Sequence, residues 1–278
     1  MTLPTGFQFS QNNLQDYVDC PRRFELRYLL RCQWPALQSE PVLEMEHHLE
    51  QGSRFHQMAH QHTLGIPVDQ LSILAQDPDL QRWWNNYLHT APFKALTGQH
   101  LPEYTLTSSF ANYRLIAKYD LVVIDPSQRA VIMDWKTSVR KPSRFNLKDR
   151  LQTRLYPFLL VEAGAYLNGN QPILPDQVEM IYWFTDFPDE PEHFVYSQVE
   201  YQSDRAYLLQ LIQEIHDHKE GQYLFTASEK RCLFCSYRSL CDRGSEAGDW
   251  QKQAEEETEQ SSQNSLDIDF YQIGEIEI

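Results

Sequence analysis

No stretch of this sequence supplies the roughly 18 consecutive apolar residues that a bilayer-spanning helix needs. The opening MTLPTGFQFSQNNLQDY lacks the basic start and apolar segment of a secretory signal. A cytoplasmic protein with no membrane partner is the expectation. Cysteine is scarce, five in 278 residues, which excludes a disulfide-built scaffold and leaves reduced thiols free for metal. No internal repeat is evident, so a solenoid is not expected. Positive charge is in deficit: 24 Lys and Arg face 39 Asp and Glu, for a formal net charge of −15. Taken as an average, that argues against a nucleic-acid partner.

The average hides an uneven distribution. Residues 246–278 hold ten acids and one lysine, so residues 1–245 carry only −6. Within that body, Lys136, Arg140, Lys141, Arg144, Lys148, Arg150 and Arg154 form a basic segment opposed only by Asp149. Two further runs are Arg22, Arg23, Arg27 and Arg31, and Lys230, Arg231, Arg238 and Arg243. Each run alone reads as a solvated face. Gathered by the fold, they would make a groove for nucleic acid.

The first 100 residues read mainly as helix, and Pro21 suits the first turn of one of them. EYTLTSSF, YRLIAKYDLVVID and RAVIMDWKTS then alternate and are rich in β-branched and aromatic residues, which predicts consecutive strands with DPSQ as a turn. NLKDRLQTRLYPFLLVEAGAYL reads as one long helix kinked at Pro157. QVEMIYWFT and HFVYSQVE read as strands, and SDRAYLLQLIQEIHDHKE as a helix.

Side chains alternate along a strand, so Asp134 and Lys136 share one face and Trp135 takes the other. If the neighbouring strand is antiparallel, Asp120 converges with them. Two carboxylates on one spot resist joint ionisation unless a cation is present. Oxygen donors of this kind suit Mg2+ or Mn2+, and a nearby lysine could stabilise charge on a phosphate. Alone, a D-x-K triplet is a common and weak motif that more often marks an exposed ion pair.

KRCLFCSYRSLC holds Cys232, Cys235 and Cys241 in a compact C-x2-C-x5-C run. A metal would need a fourth ligand, and Cys20 and Cys32 are the candidates. Cys20 is the stronger, because it sits at a helix start before the basic CPRRF segment. Four thiolates suit zinc or a [4Fe-4S] cluster.

Together, DYVDCPRRFELRYLL, GSRFHQMAH, AKYDLVV, DWKTS, QTRLY and the cysteine run, in that order, resemble the RecB-like branch of the PD-(D/E)XK nucleases. The likeness is to its iron–sulfur members, which include CRISPR-adaptation nucleases and AddB-type subunits, and it covers roughly residues 8–243. It implies an α/β fold: a restriction-endonuclease-like mixed central sheet flanked by helices, with a helical N-terminal region pinned to the C-terminus by a metal cluster. The implied parts are a helical region 1–100 supplying Cys20 and His56, a nuclease core 101–220, a cysteine segment 221–245 and an acidic tail 246–278. By position, His56, Asp120, Asp134 and the Trp135 carbonyl would bind Mg2+ or Mn2+. Asp120, Asp134, Lys136, Gln152 and Tyr156 would be catalytic, and Cys20, Cys232, Cys235 and Cys241 would hold a [4Fe-4S] cluster. Arg140, Lys141, Arg144, Lys148, Arg150 and Arg154 would contact nucleic acid.

The implied activity is DNA hydrolysis, exonuclease rather than endonuclease, on single strands or ends. The rivals are an inactive DNA-binding module of the same fold and a cluster-based redox protein. The family usually has glycine where Ala117 stands here. Pro157, directly after the QTRLY motif, puts the placement of Tyr156 in question. The tail begins too polar to fold alone. It ends in LDIDFYQIGEIEI, which could dock on a protein partner or compete with DNA for the basic segment.

Overall fold

In the computed structural model the described residues are 3–33, 40–218, 223–233 and 235–244. The acidic tail 246–278, and with it the expected partner-docking segment, lies outside them. The elements in chain order are β1 (Gln8–Ser10), α1 (Gln11–Asp19), α2 (Pro21–Phe24), α3 (Glu40–Thr63), α4 (Val68–Ser72), α5 (Pro78–Thr90) and β2 (Gln99–Phe110). They continue with β3 (Tyr113–Asp125), β4 (Arg129–Lys136), α6 (Arg144–Asp149), α7 (Leu151–Ala163), β5 (Val178–Phe184), β6 (Phe187–Val195) and α8 (Gln198–Asp217).

The chain divides into two compact units: Gln8–Gln11 with Gln51–Gln213, and Met1–Phe7 with Asn12–Glu50 and Glu214–Ile278. The division differs from one at residue 100, because His56 and α5 pack with the strands and belong to the first unit.

That unit is a mixed six-stranded sheet with helices on both faces. β3 pairs antiparallel with β2 along most of its length. Its other edge is shared, with β1 running parallel to it at residues 114–116 and β4 antiparallel at 121–125. β4 pairs parallel with β5, and β5 antiparallel with β6. The strand period of two sorts the side chains. Leu121, Val123, Val131, Met133, Trp135, Ile181 and Trp183 share one core with Phe55 of α3 and Trp83, Trp84 and Tyr87 of α5. The opposite rows, including Asp134, Lys136 and Tyr182, face α7, whose Leu155, Phe158 and Leu159 are fully buried. β4 is buried on both faces, as a central strand must be.

Three expectations need correction. β1 was hidden in a segment read as helical, because three residues are too few to show alternation. The SQVE of HFVYSQVE opens α8, where the Ser197 hydroxyl accepts the N–H groups of Val199 (3.2 Å) and Glu200 (3.4 Å), a cap rather than a strand continuation. The long helix around Pro157 is two helices, and the break falls at Arg150, whose ψ of 142° is extended. α7 runs on through Pro157. The proline costs only the bond to the Thr153 carbonyl, in the first turn of the helix.

Gly98 shows how closely strands approach at the start of β2. Its φ is +124°, and a Cβ there would lie 2.3 Å from the Ile124 carbonyl oxygen. Both the backbone conformation and the space demand glycine. Gly98→Ala is expected to cost about 1–3 kcal/mol, read as a melting temperature lower by several degrees. An unchanged melting temperature would contradict this packing.

The other unit packs residues 16–32 against residues 214–237, with Asp16 organising the first of these segments. This carboxylate, 2% exposed, accepts from Arg27 (2.8 Å) and the Tyr28 hydroxyl (2.9 Å) and pairs with the Arg23 guanidinium at 2.8 Å. Asp19 pairs with both Arg23 and Arg231. Tyr17 packs edge-on against Phe24 and Tyr223 and donates to Glu214 at 2.8 Å. Tyr237 donates to the Cys32 carbonyl at 2.9 Å.

Candidate active site

The site forms where the sheet forks. Among the described residues, β3 positions 117–119 have β2 partners and Asp120 has none, and all four lie between the end of its pairing with β1 at Ile116 and the start of its pairing with β4 at Leu121. β4 therefore leaves β3 just before Asp134. The Trp135 N–H, freed from the ladder, donates to Asp120 Oδ2 at 2.7 Å. A backbone donor at a strand end must find a partner, and here it orients the carboxylate.

The other oxygen of Asp120 lies 3.1 Å from His56 Nδ1. α3 delivers His56 by burying Phe55 beside it in the core. Opposite Asp120 on β2 stands Glu103, a residue that motif reading did not single out. Its φ of +50° is unusual for a side-chain-bearing residue. The pairing skips it, running from Pro102↔Leu121 to Tyr104↔Tyr119. Ligand atoms of His56, Glu103 and Asp120 all lie within 4.8 Å of one another. Lys118 holds the Glu103 carboxylate at 2.5 Å. The sequence signal for Glu103 existed only as a register: it becomes the cross-strand neighbour of Asp120 once the β2–β3 turn is fixed.

On the α7 face, Lys136 Nζ lies 2.9 Å from Asp134 Oδ2 and donates to Gln152 Oε1 at 2.9 Å. Gln152 Nε2 in turn donates to Asp134 Oδ1. All three are nearly buried, at 4%, 6% and 3% exposure for Asp134, Lys136 and Gln152. Tyr156, one turn after Gln152, is held by the Tyr119 hydroxyl, which donates to its carbonyl at 3.0 Å, and by the Tyr119 ring at 4.8 Å.

The electrostatics separate the two acids. Burial pushes Asp134 up to about 6 and the nearby Asp120 adds to this, against Lys136. Burial also pushes Asp120 upward, but His56, the Trp135 N–H and Lys136 outweigh it and hold Asp120 below its ordinary value. Burial lowers His56, and Asp120 more than compensates, so its pKa is raised. Burial and both carboxylates push Tyr156 far up, which leaves its phenol protonated. Crowded carboxylates, one of them reluctant to ionise, form a donor set that a divalent cation would relieve. The mixture of carboxylate oxygens and one imidazole fits Mg2+ or Mn2+.

The structure also places the remaining expected residues. Lys141 is tied to Glu190 and Glu192, Arg144 to Glu192, and Arg154 to Asp149 and Asp204. Arg150 is 8% exposed, so it is not a surface cation. Lys148 is exposed and Arg140 half-buried. Much of the basic segment is thus neutralised by β6 and α8, whose acids lie dozens of residues away in sequence. Cys20, Cys232, Cys235 and Cys241 line a single small pocket. Cys32 is not among its lining residues. Burial pushes the Cys241 thiol up to about 11, reinforced by Cys235 and Cys20. Burial raises Cys232 and Cys235 as well. Sulfurs sharing one pocket would repel one another as thiolates, which with burial favours their thiol form.

The model of the PD-(D/E)XK nuclease superfamily matches residues 8–242, and the chain belongs to that family. Its members use divalent metals and act on nucleic acid. Two solved structures show some similarity. One is the protein SSO0001, at 12% identity and a TM-score of 0.41, covering 84% of this chain and 85% of the other. The second is a candidate exonuclease from Eubacterium rectale, at 10% identity and a TM-score of 0.46, covering 74% and 79%. Among curated proteins none is significantly similar. No helix among the described residues is long and apolar enough to cross a membrane.

Proposed function

We propose that this chain is a Mg2+- or Mn2+-dependent deoxyribonuclease that cuts from single-stranded DNA or ends, with a structural [4Fe-4S] cluster, and that it belongs to the RecB-like iron–sulfur branch. The observation that carries the reading is the convergence of His56, Glu103 and Asp120 beside the Asp134–Lys136–Gln152 triangle. His56, Glu103, Asp120 and Asp134, with the Trp135 carbonyl, would hold the ion. When bound, the ion supplies Lewis-acid stabilisation of charge on the phosphodiester.

The chain's own groups supply the rest. Lys136 keeps its ammonium between Asp134 and Gln152, and can orient a water or steady charge growing on a phosphate oxygen. Gln152 bridges Lys136 to Asp134, which fixes both rotamers. Tyr156 keeps its proton and so can donate a hydrogen bond but does not act as a base. Action at ends, and a place in CRISPR adaptation or DNA repair, rest on the motif resemblance. The cluster reading is supported by four cysteines around one pocket, and its role would be to cross-link the two ends of the chain.

End-labelled single- and double-stranded DNA, incubated with Mg2+, Mn2+ or EDTA, tests the reading. Shortening from the ends is expected with either ion and none in EDTA. Cleavage that survives EDTA, or none with any divalent ion, would overturn it.

A further inference from the structure

The adjacent tryptophans of α5, Trp83 and Trp84, are 0% and 1% exposed. They are core. A different aromatic stands out from the basic segment itself: Phe145 is 74% exposed. We infer that Phe145 is a stacking platform that seats an unpaired base of the nucleic acid beside the catalytic row, an inference that rests on the nuclease reading.

Its position follows from the sheet register. Asp134 pairs with Tyr182 on β5, and Tyr182 with Glu192 on β6. One row therefore runs from the catalytic acid to Glu192, about 10 Å away at the ordinary strand spacing. Glu192 fixes α6. Arg144 donates to it at 2.9 Å and to the His193 carbonyl at 2.6 Å, and its guanidinium stacks 4.4 Å from the Phe194 ring. From the other side Leu147 is fully buried, and Ser143 caps the helix by accepting the Asn146 N–H at 3.2 Å. Anchored by Ser143, Arg144 and Leu147, this six-residue helix leaves Phe145 in water, a few nucleotides' reach from Asp134.

Exposing a ring on a firmly held element gains nothing for folding. A ring offered to a base face gains stacking, whatever the base. Lys148, one turn on and exposed, supplies a cation for the adjoining phosphate. Because neighbouring cations are neutralised by Glu190, Glu192 and Asp204, affinity here should depend on the base as well as on charge. A duplex, whose bases are already stacked, would not satisfy the ring, so the substrate class is single-stranded nucleic acid or a frayed end.

The test is binding of the full-length protein to an oligothymidylate and to an abasic oligonucleotide of the same length, in EDTA so that cutting does not intervene. Phe145→Ala is expected to weaken oligothymidylate binding about tenfold, and Phe145→Trp to retain it. All three proteins should bind the abasic oligomer alike. Two outcomes overturn the proposal: no loss in Phe145→Ala, or an equal loss on the abasic oligomer. A wild-type protein that fails to distinguish the two oligomers overturns it as well. A protein that shows the expected stacking yet never cuts DNA with Mg2+ or Mn2+ would refute the nuclease reading and leave this one standing.

Discussion

Lys136→Ala is expected to slow DNA cleavage by about 10²- to 10³-fold, the scale on which losing one preorganised charge-stabilising donor acts. Lys136 is 6% exposed and touches Asp134 and Gln152, so no outside cation can replace it. The fold should survive, for a reason the site itself supplies. Burial already holds Asp134 up at about 6, and without the ammonium it can take a proton rather than remain a buried, unpaired charge. The thermal midpoint, measured beside the cleavage rate, separates a catalytic loss from an unfolded protein. Lys136→Arg should not rescue, because a guanidinium is bulkier and planar where the pocket is closed. Cleavage at the native rate by Lys136→Ala would remove this residue from the mechanism.

Cys235→Ser is expected to have the largest effect on the other unit. Anaerobically purified wild-type protein should be brown and contain about four iron per chain. Cys20→Ser, Cys232→Ser, Cys235→Ser and Cys241→Ser should each lose that iron, whereas Cys32→Ser should keep it. The cross-link from Cys20 to the C-terminal run closes a loop of about 210 residues, for which the chain-entropy argument gives on the order of 5 kcal/mol. The Asp19–Arg231 ion pair and the Tyr237–Cys32 hydrogen bond join the same segments without metal. The variants should therefore melt earlier rather than fail to fold. Colourless wild-type protein with stoichiometric zinc would contradict the cluster, and iron retained by Cys235→Ser would contradict the ligand assignment.

Much of this architecture was legible in the sequence where local periodicity and tertiary structure agree. The strands β2, β3, β4 and β5 announce themselves by their β-branched and aromatic content, and Asp134 and Lys136 fall on one face by simple counting. The ordered motifs gave His56, Asp120, Gln152 and Tyr156, which the fold brings close to that face. Glu103 was not legible, because its place depends on a β2–β3 register and on a left-handed backbone that no propensity reveals. β1 was too short to announce itself. The basic segment was legible only in part. Its cations are plain to read, but the acids that neutralise them sit on β6 and α8 and become neighbours only in the folded chain.

The most direct measurement is anomalous diffraction from crystals of the protein soaked in Mn2+. A manganese peak is expected within bonding distance of His56, Glu103 and Asp120, with Asp134 turned toward it, and Glu103→Gln should weaken its occupancy. No peak at the fork of the sheet, or a peak held by other residues, would contradict the metal-dependent nuclease site described here.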